Sequence, residues 1–126
     1  MRTRLTSRER HRHAWRRGRL AEKLCRLILR LKGYRIVAAP MRTPVGEVDI
    51  VARTRDTLVI VEVKARGDLA AAAAAVGARQ RRRLTRAAHW IVAGDPTLMA
   101  LPCRFDVMLV APYAWPRHLI NAWQSP

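Results

Sequence analysis

The sequence is short of acids, aromatic rings, hydroxyl nucleophiles and cysteine. Only 9 Asp and Glu face 25 Lys and Arg in 126 residues, a net charge of +16. Two serines occur, Ser7 and Ser125, both near the ends, which removes a serine nucleophile from consideration. Cys25 and Cys103 are too few for a disulfide framework and read as reduced, structural residues. No glycine-rich phosphate loop is present. No apolar run is long enough to span a bilayer; the longest stretch, 69–78, is mostly alanine. The opening MRTRLTSRERHRHAWRRGR has no apolar segment behind its charges, so it does not read as a secretory signal, and a cytoplasmic protein is expected.

What is present is arginine. Of the 25 cations, 22 are Arg, and the three lysines are Lys23, Lys32 and Lys64. The guanidinium fork suits bidentate contact with phosphate oxygens, so a nucleic-acid partner is expected and a membrane is not. A GC-rich coding bias would explain Arg over Lys but not the excess of positive charge. Residues 1–14 carry Arg2, Arg4, Arg8, Arg10 and Arg12 and read as a flexible basic arm; His11 and His13 within it lack further metal ligands. Residues 15–126 read as one domain.

The elements follow from periodicity. Residues 15–31 form a helix with Leu20, Leu24, Leu27, Ile28 and Leu31 on one stripe and Ala21 and Cys25 beside it, stopped by Gly33. Residues 34–39 form a short strand and 40–44 a connection. Residues 45–52 and 57–64 are strands joined by a tight turn, an antiparallel hairpin whose Val, Ile and Leu run is that of central strands. Helical segments follow across the alanine run and over 79–92. Strands at 104–110 and 119–123 close an α-β-β-β-α-β-β order: an α/β domain with a mixed sheet flanked by helices.

The central hairpin contains an anomaly. In GEVDIVA, Glu47 and Asp49 are two apart, and in VIVEVKAR so are Glu62 and Lys64, so each pair is expected on one sheet face. Isolated carboxylates among Val and Ile cost several kcal/mol or more, so they must be paired or metal-bound. An ion-pair arrangement would set Lys64 against Glu62 and an Arg against Glu47, but it leaves one acid awkward. Two carboxylates converging on Mg²⁺ (or Mn²⁺) resolve the excess charge. A lysine beside them can orient water and stabilise charge on a phosphate. On the later helix, Gln80 falls within the apolar stripe of Val76, Leu84 and Ala87 and points at the sheet, either as a buried amide bonded to backbone or as part of a site.

Asp49 followed after thirteen residues by Glu62-Val63-Lys64 resembles the PD-(D/E)XK nuclease superfamily, with its restriction-endonuclease-like fold. The wider text, GRLAEKLCRLILRLKGYRIVA, GEVDIVA, VIVEVKAR, RFDVMLV and INAW, is similar to the bacterial YraN-like family, itself similar to archaeal Holliday-junction resolvases. The resemblance runs from Gly18 to Trp123. It implies that Asp49, Glu62, Glu22 and the Val63 carbonyl hold a metal, that Lys64 is catalytic, and that Gln80 stands where the family places a Lys or Gln facing the site. Glu47 belongs to the family's G-E-x-D text, in an outer or substrate-contact role. Ala38-Ala39-Pro40-Met41-Arg42 departs from the family's polar residue after the first strand, and Arg42 is the available substitute.

The resemblance therefore implies metal-dependent hydrolysis of DNA phosphodiester bonds, with branched or junction DNA among the substrates. Arg42, Arg66, Arg79, Arg81, Arg82, Arg83 and Arg86 are the expected phosphate contacts. A non-catalytic binding protein or adaptor that keeps the fold is the alternative. A homodimer fits a junction cutter, which needs two sites about a two-fold axis. His89 and His118 read as surface or packing residues, and Asp106 as a partner of Arg104 or of a helix end. Trp15, Trp90, Trp115 and Trp123 read as core and interface bulk.

Overall fold

The computed structural model describes residues 7–123. It opens on a long helix, α1 (Ser7–Leu31), which starts eight residues before Trp15 and so extends into the segment read as an arm; residues 1–6 lie outside the described residues. At its end Gly33, at φ +93°, donates to the Arg30 carbonyl, and the Tyr34 amide donates to that of Leu29, a left-handed cap that glycine adopts without strain. Seven strands follow: β1 (Arg35–Ala38), β2 (Met41–Thr43), β3 (Gly46–Val48), β4 (Ile50–Arg53), β5 (Leu58–Ala65), β6 (Cys103–Val110) and β7 (Arg117–Trp123). Between β5 and β6 lie α2 (Leu69–Ala74), α3 (Ala78–Ala93) and α4 (Pro96–Met99).

Five strands form a mixed sheet in the order β1-β4-β5-β6-β7. β4 and β5 are the antiparallel hairpin, and β5 and β6 are parallel, as a helical crossover requires. The continuous apolar text of β5 has its reason in two cores. Leu58 and Ile60 pack with α3 residues Leu84, Ala87 and Ile91, whereas Val59 and Val61 pack against Cys25 and Leu29 of α1. Alternation then sends Glu62 and Lys64 to the α3 side.

Three expectations are corrected. Residues 45–52 are not one strand: the chain breaks at Asp49, and β3 leaves the main sheet to pair with β2 in a separate ribbon, where Arg42 lies opposite Glu47. The residues read as a connection therefore include a strand, short because prolines bracket it at positions 40 and 44. Of the stripe of α1 read as apolar contact, Ile28 packs inward but the four leucines face outward. Ala21, Cys25 and Leu29 are buried, while Leu20, Leu24, Leu27 and Leu31 are exposed. α1 carries two adjacent apolar stripes, and the smaller side chains allow the closer approach to the sheet. The short α4 is capped by Asp95, which accepts from the Thr97 amide at 3.0 Å, and adds a helical turn where the sequence reads only as the end of α3.

Candidate active site

The break at Asp49 has a local cause. Ile50 pairs with Val61, so a continued ladder would set Asp49 beside Glu62. Instead the Asp49 carboxylate leaves that register and accepts from the Val63 amide, Oδ2 to N 2.8 Å. A side chain thus takes a donor at the point where the strand turns out of the sheet, and Glu47 ends up exposed on the ribbon rather than inward with Asp49.

Glu62 lies almost fully buried, at 4 % exposure. Its Oε1 accepts from Gln80 Nε2 at 3.0 Å and meets Lys64 Nζ at 3.2 Å. The inward amide on α3 is therefore bonded to the site carboxylate. Oε2 is buried and accepts no hydrogen bond; the Arg83 guanidinium, at 3.9 Å, offers charge alone. Arg83 Nε donates to Gln80 Oε1 at 3.2 Å and Nη1 to the Glu47 carbonyl at 2.9 Å. Arg83 is thus an internal clamp that fixes the Gln80 amide and ties the β2–β3 ribbon to α3.

The acids press on one another. Burial raises the Asp49 carboxyl to about 7, reinforced by the charges of Glu62 and Glu22, against the lowering effect of the Val63 hydrogen bond. Glu22, on α1, is raised first by burial and then by Glu47, with a smaller contribution from Glu62 and with Arg19 and Arg26 opposing. Four carboxylates therefore share one electrostatic locality. Among the described residues no three His, Cys, Asp or Glu side chains converge into a ligand cage, so Glu22 bears on Asp49 and Glu62 through its charge. The donors nevertheless suit a hard divalent cation: two neighbouring carboxyl groups, a buried Glu62 oxygen without a donor, and an Asp49 whose charged form is disfavoured by burial and by Glu62. Val63 contributes its amide to Asp49 and packs its side chain on the α1 side.

The arginines divide by position. Arg79, Arg82 and Arg86 are exposed along α3 at the spacing of one helix face. Arg81 lies with its guanidinium 5.8 Å from the Trp123 ring centroid. Arg42 is open to solvent and loosely paired with Glu47 at 3.9 Å. Arg66 is exposed after β5, bonded to its neighbour's carbonyl at 2.8 Å. Of the seven, Arg83 alone is consumed by the site.

A second polar cluster lies on the α1 face. Asp106 is fully buried and accepts from Arg104 Nε and Nη2, both at 2.9 Å, and from the Asn121 amide at 2.9 Å. It also meets His118 Nε2 at 2.6 Å, and Arg104 reaches the Tyr34 hydroxyl at 2.6 Å. The Arg104 partnership agrees with the sequence; His118 is in this network, which no local spacing could reveal. Burial pushes the Asp106 carboxyl up, but the bonds from His118, Arg104 and Asn121 outweigh it and hold it below its usual value.

No helix among the described residues is long and apolar enough to cross a membrane. The model of the uncharacterised protein family UPF0102 matches residues 21–110. A UPF0102 protein of Parvibaculum lavamentivorans is 52 % identical over 111 residues, covering 88 % of this chain and 84 % of that one. One from Methylobacterium nodulans is 46 % identical over 114 residues, covering 90 % and 88 %. A third, from Paramagnetospirillum magneticum, is 45 % identical over 118 residues, covering 90 % and 92 %. The matched region contains Glu22, Asp49, Glu62, Lys64 and Gln80, and the chain belongs to the YraN-like family UPF0102.

Proposed function

We propose that the protein is a Mg²⁺- or Mn²⁺-dependent nuclease of the PD-(D/E)XK type, with a restriction-endonuclease-like fold, that hydrolyses DNA phosphodiester bonds. The observation that carries this is the buried Glu62 carboxylate, whose Oε2 has no donor, beside an Asp49 carboxyl raised above its usual value by burial and by Glu62, with Lys64 3.2 Å from Glu62. An antiparallel hairpin with Asp49 at its entry and Glu62 on its second strand, followed by a helical crossover to a parallel strand, is the arrangement expected of that fold.

Asp49 and Glu62 would hold the cation, with the Val63 carbonyl as a further ligand. A bound cation supplies Lewis-acid polarisation of a phosphate oxygen and cancels the excess charge of the pair. Lys64 Nζ holds the attacking water and stabilises the charge that grows on the phosphorus-bound oxygens. The water oxygen bonds to phosphorus in line with the departing 3′ oxygen as one of its protons passes to solvent; the P–O3′ bond breaks, the 3′ oxygen takes a proton from solvent, and a 5′-phosphate end remains. Gln80, fixed by Arg83, keeps Glu62 turned toward the site. Arg79, Arg82 and Arg86 grip the flanking phosphates. A cytoplasmic location and junction-shaped substrates belong to the same proposal.

The test is cleavage of linear, flapped and four-way DNA with Mg²⁺ or Mn²⁺, alongside Asp49→Ala and Lys64→Ala. Metal-dependent nicking lost in both variants supports the enzyme. Equal DNA binding by all three proteins with every substrate intact establishes instead a binding protein that retains the fold.

A further inference from the structure

α1 displays an apolar seam that the domain does not use. Leu20, Leu24, Leu27 and Leu31 are 65, 39, 52 and 78 % exposed. Their 4-3-4 spacing is that of the a and d positions of a heptad, the pattern by which one helix seats side chains into another. Beside the seam lies a groove of about 220 Å³ whose lining includes Leu20, Leu24, Ala65, Val110, Pro112 and Arg66. The opposite flank of the seam is cationic: Lys23 and Arg30, both exposed, stand three residues after Leu20 and Leu27.

We propose that this surface docks an acidic amphipathic helix of another protein, with leucine-like side chains at heptad spacing and Asp or Glu beside them. Three observations select this occupant. An antiparallel second copy would set the Lys23 and Arg30 row against its own image in like-charge contact, and a second copy in either orientation brings a further +16. A lipid surface calls for a broad apolar face, whereas four leucines in one file form a narrow seam. A bilayer is also flat, whereas the groove is concave and takes a protruding side chain. Cations on one side and Arg66 in the groove complement carboxylates on both sides of an incoming helix. The surface lies outside the cluster of acids, so the docking stands or falls apart from the nuclease reading.

The experiment uses the full chain and a fluorescent three-heptad peptide with Leu at a and d and Glu at e and g, titrated by anisotropy. Saturable binding with Kd below ~100 µM at ~150 mM salt is expected. A peptide with Ser in place of Leu, and one with Lys in place of Glu, are expected to bind at least about tenfold more weakly. Leu20→Glu with Leu27→Glu is expected to abolish binding while leaving the melting curve unchanged, since both leucines are exposed. Lys23→Glu with Arg30→Glu gives an independent reading, at least about tenfold weaker for the Glu peptide. Any of four results overturns the proposal: no saturable binding, equal binding of the Ser peptide, variants that bind as wild type does, or capture by phosphatidylserine vesicles without capture by the peptide. A concentration-dependent dimer that the leucine variant dissolves overturns it too, in favour of a second copy.

Discussion

The Arg83 guanidinium fills the space beside the Gly46 backbone: a Cβ at position 46 would lie 2.6 Å from Arg83 Nη1. Gly46 also sits at φ +128°, where other residues are strained. The ribbon that carries Glu47 is thus built around an arginine of α3. Gly46→Ala is expected to cost about 1–3 kcal/mol and to lower the thermal midpoint by several degrees. Combined with Arg83→Ala it should cost less than the sum of the two changes, because the second removes the obstacle the first creates. Strict additivity in that cycle would mean that Arg83 is not what excludes a side chain there.

Divalent metal should stabilise the protein through Asp49 and Glu62. At a Mg²⁺ concentration about a hundredfold above Kd the gain is ~2.7 kcal/mol, read as a rise in the melting midpoint. Asp49→Asn should keep the bond from the Val63 amide, lose the Mg²⁺-dependent rise, and raise the midpoint of the metal-free protein at pH 8 by relieving repulsion with Glu62 and Glu22. An unchanged Mg²⁺ response in Asp49→Asn would remove Asp49 from the metal site.

Two carboxylates give opposite pH signatures. Asp49 is raised from 3.8 to about 7 in the fold, so the folded chain holds its proton over a range in which the unfolded chain has lost it. Stability of the metal-free protein should therefore fall as pH rises from about 4 to about 7 and level off above. Asp106 is lowered, so its contribution is present above the usual carboxylate range and is lost as pH falls through it. Urea midpoints across pH, wild type minus Asp49→Asn, isolate the first slope; wild type minus Asp106→Asn isolates the second.

Asp106→Ala is expected to be the most damaging single change away from the acid cluster, about 3–5 kcal/mol, because it strips Arg104 and His118 of a fully buried partner. Denaturant midpoints at pH 7 measure it. A loss under about 1 kcal/mol would show the network to be incidental.

DNA affinity should report the division among the arginines. Arg79→Ala, Arg82→Ala and Arg86→Ala should each weaken binding across sequences and reduce the slope of log K against log salt by about 1. Arg83→Ala should leave that slope nearly unchanged and act on cleavage, because its guanidinium is already bonded to Gln80 and the Glu47 carbonyl.

Much of this is legible in the amino-acid sequence. The apolar run of β5 announced a strand covered on both faces, the short turn announced its hairpin, and the helical wheel turned Gln80 inward. The failures share a physical cause. Val45 to Ala52 reads as one strand because nothing in its side-chain alternation says that an aspartate will spend its carboxylate on a backbone amide. Period alone does not choose between the two apolar stripes of α1; the fit of Ala21, Cys25 and Leu29 against the sheet does. His118 meets Lys32 across 86 residues and Asp106 across 12, beyond the reach of local pattern. The signal available for that network was Asp106 itself, a lone acid in the apolar text of β6.

The bond from the Val63 amide to Asp49 Oδ2 has a spectroscopic consequence. This proton points at a carboxylate whose charge changes near neutral pH, so its ¹H and ¹⁵N shifts should follow the ionisation of Asp49 directly. Val63 is a built-in meter of the site, readable by NMR in the intact protein without substrate or turnover.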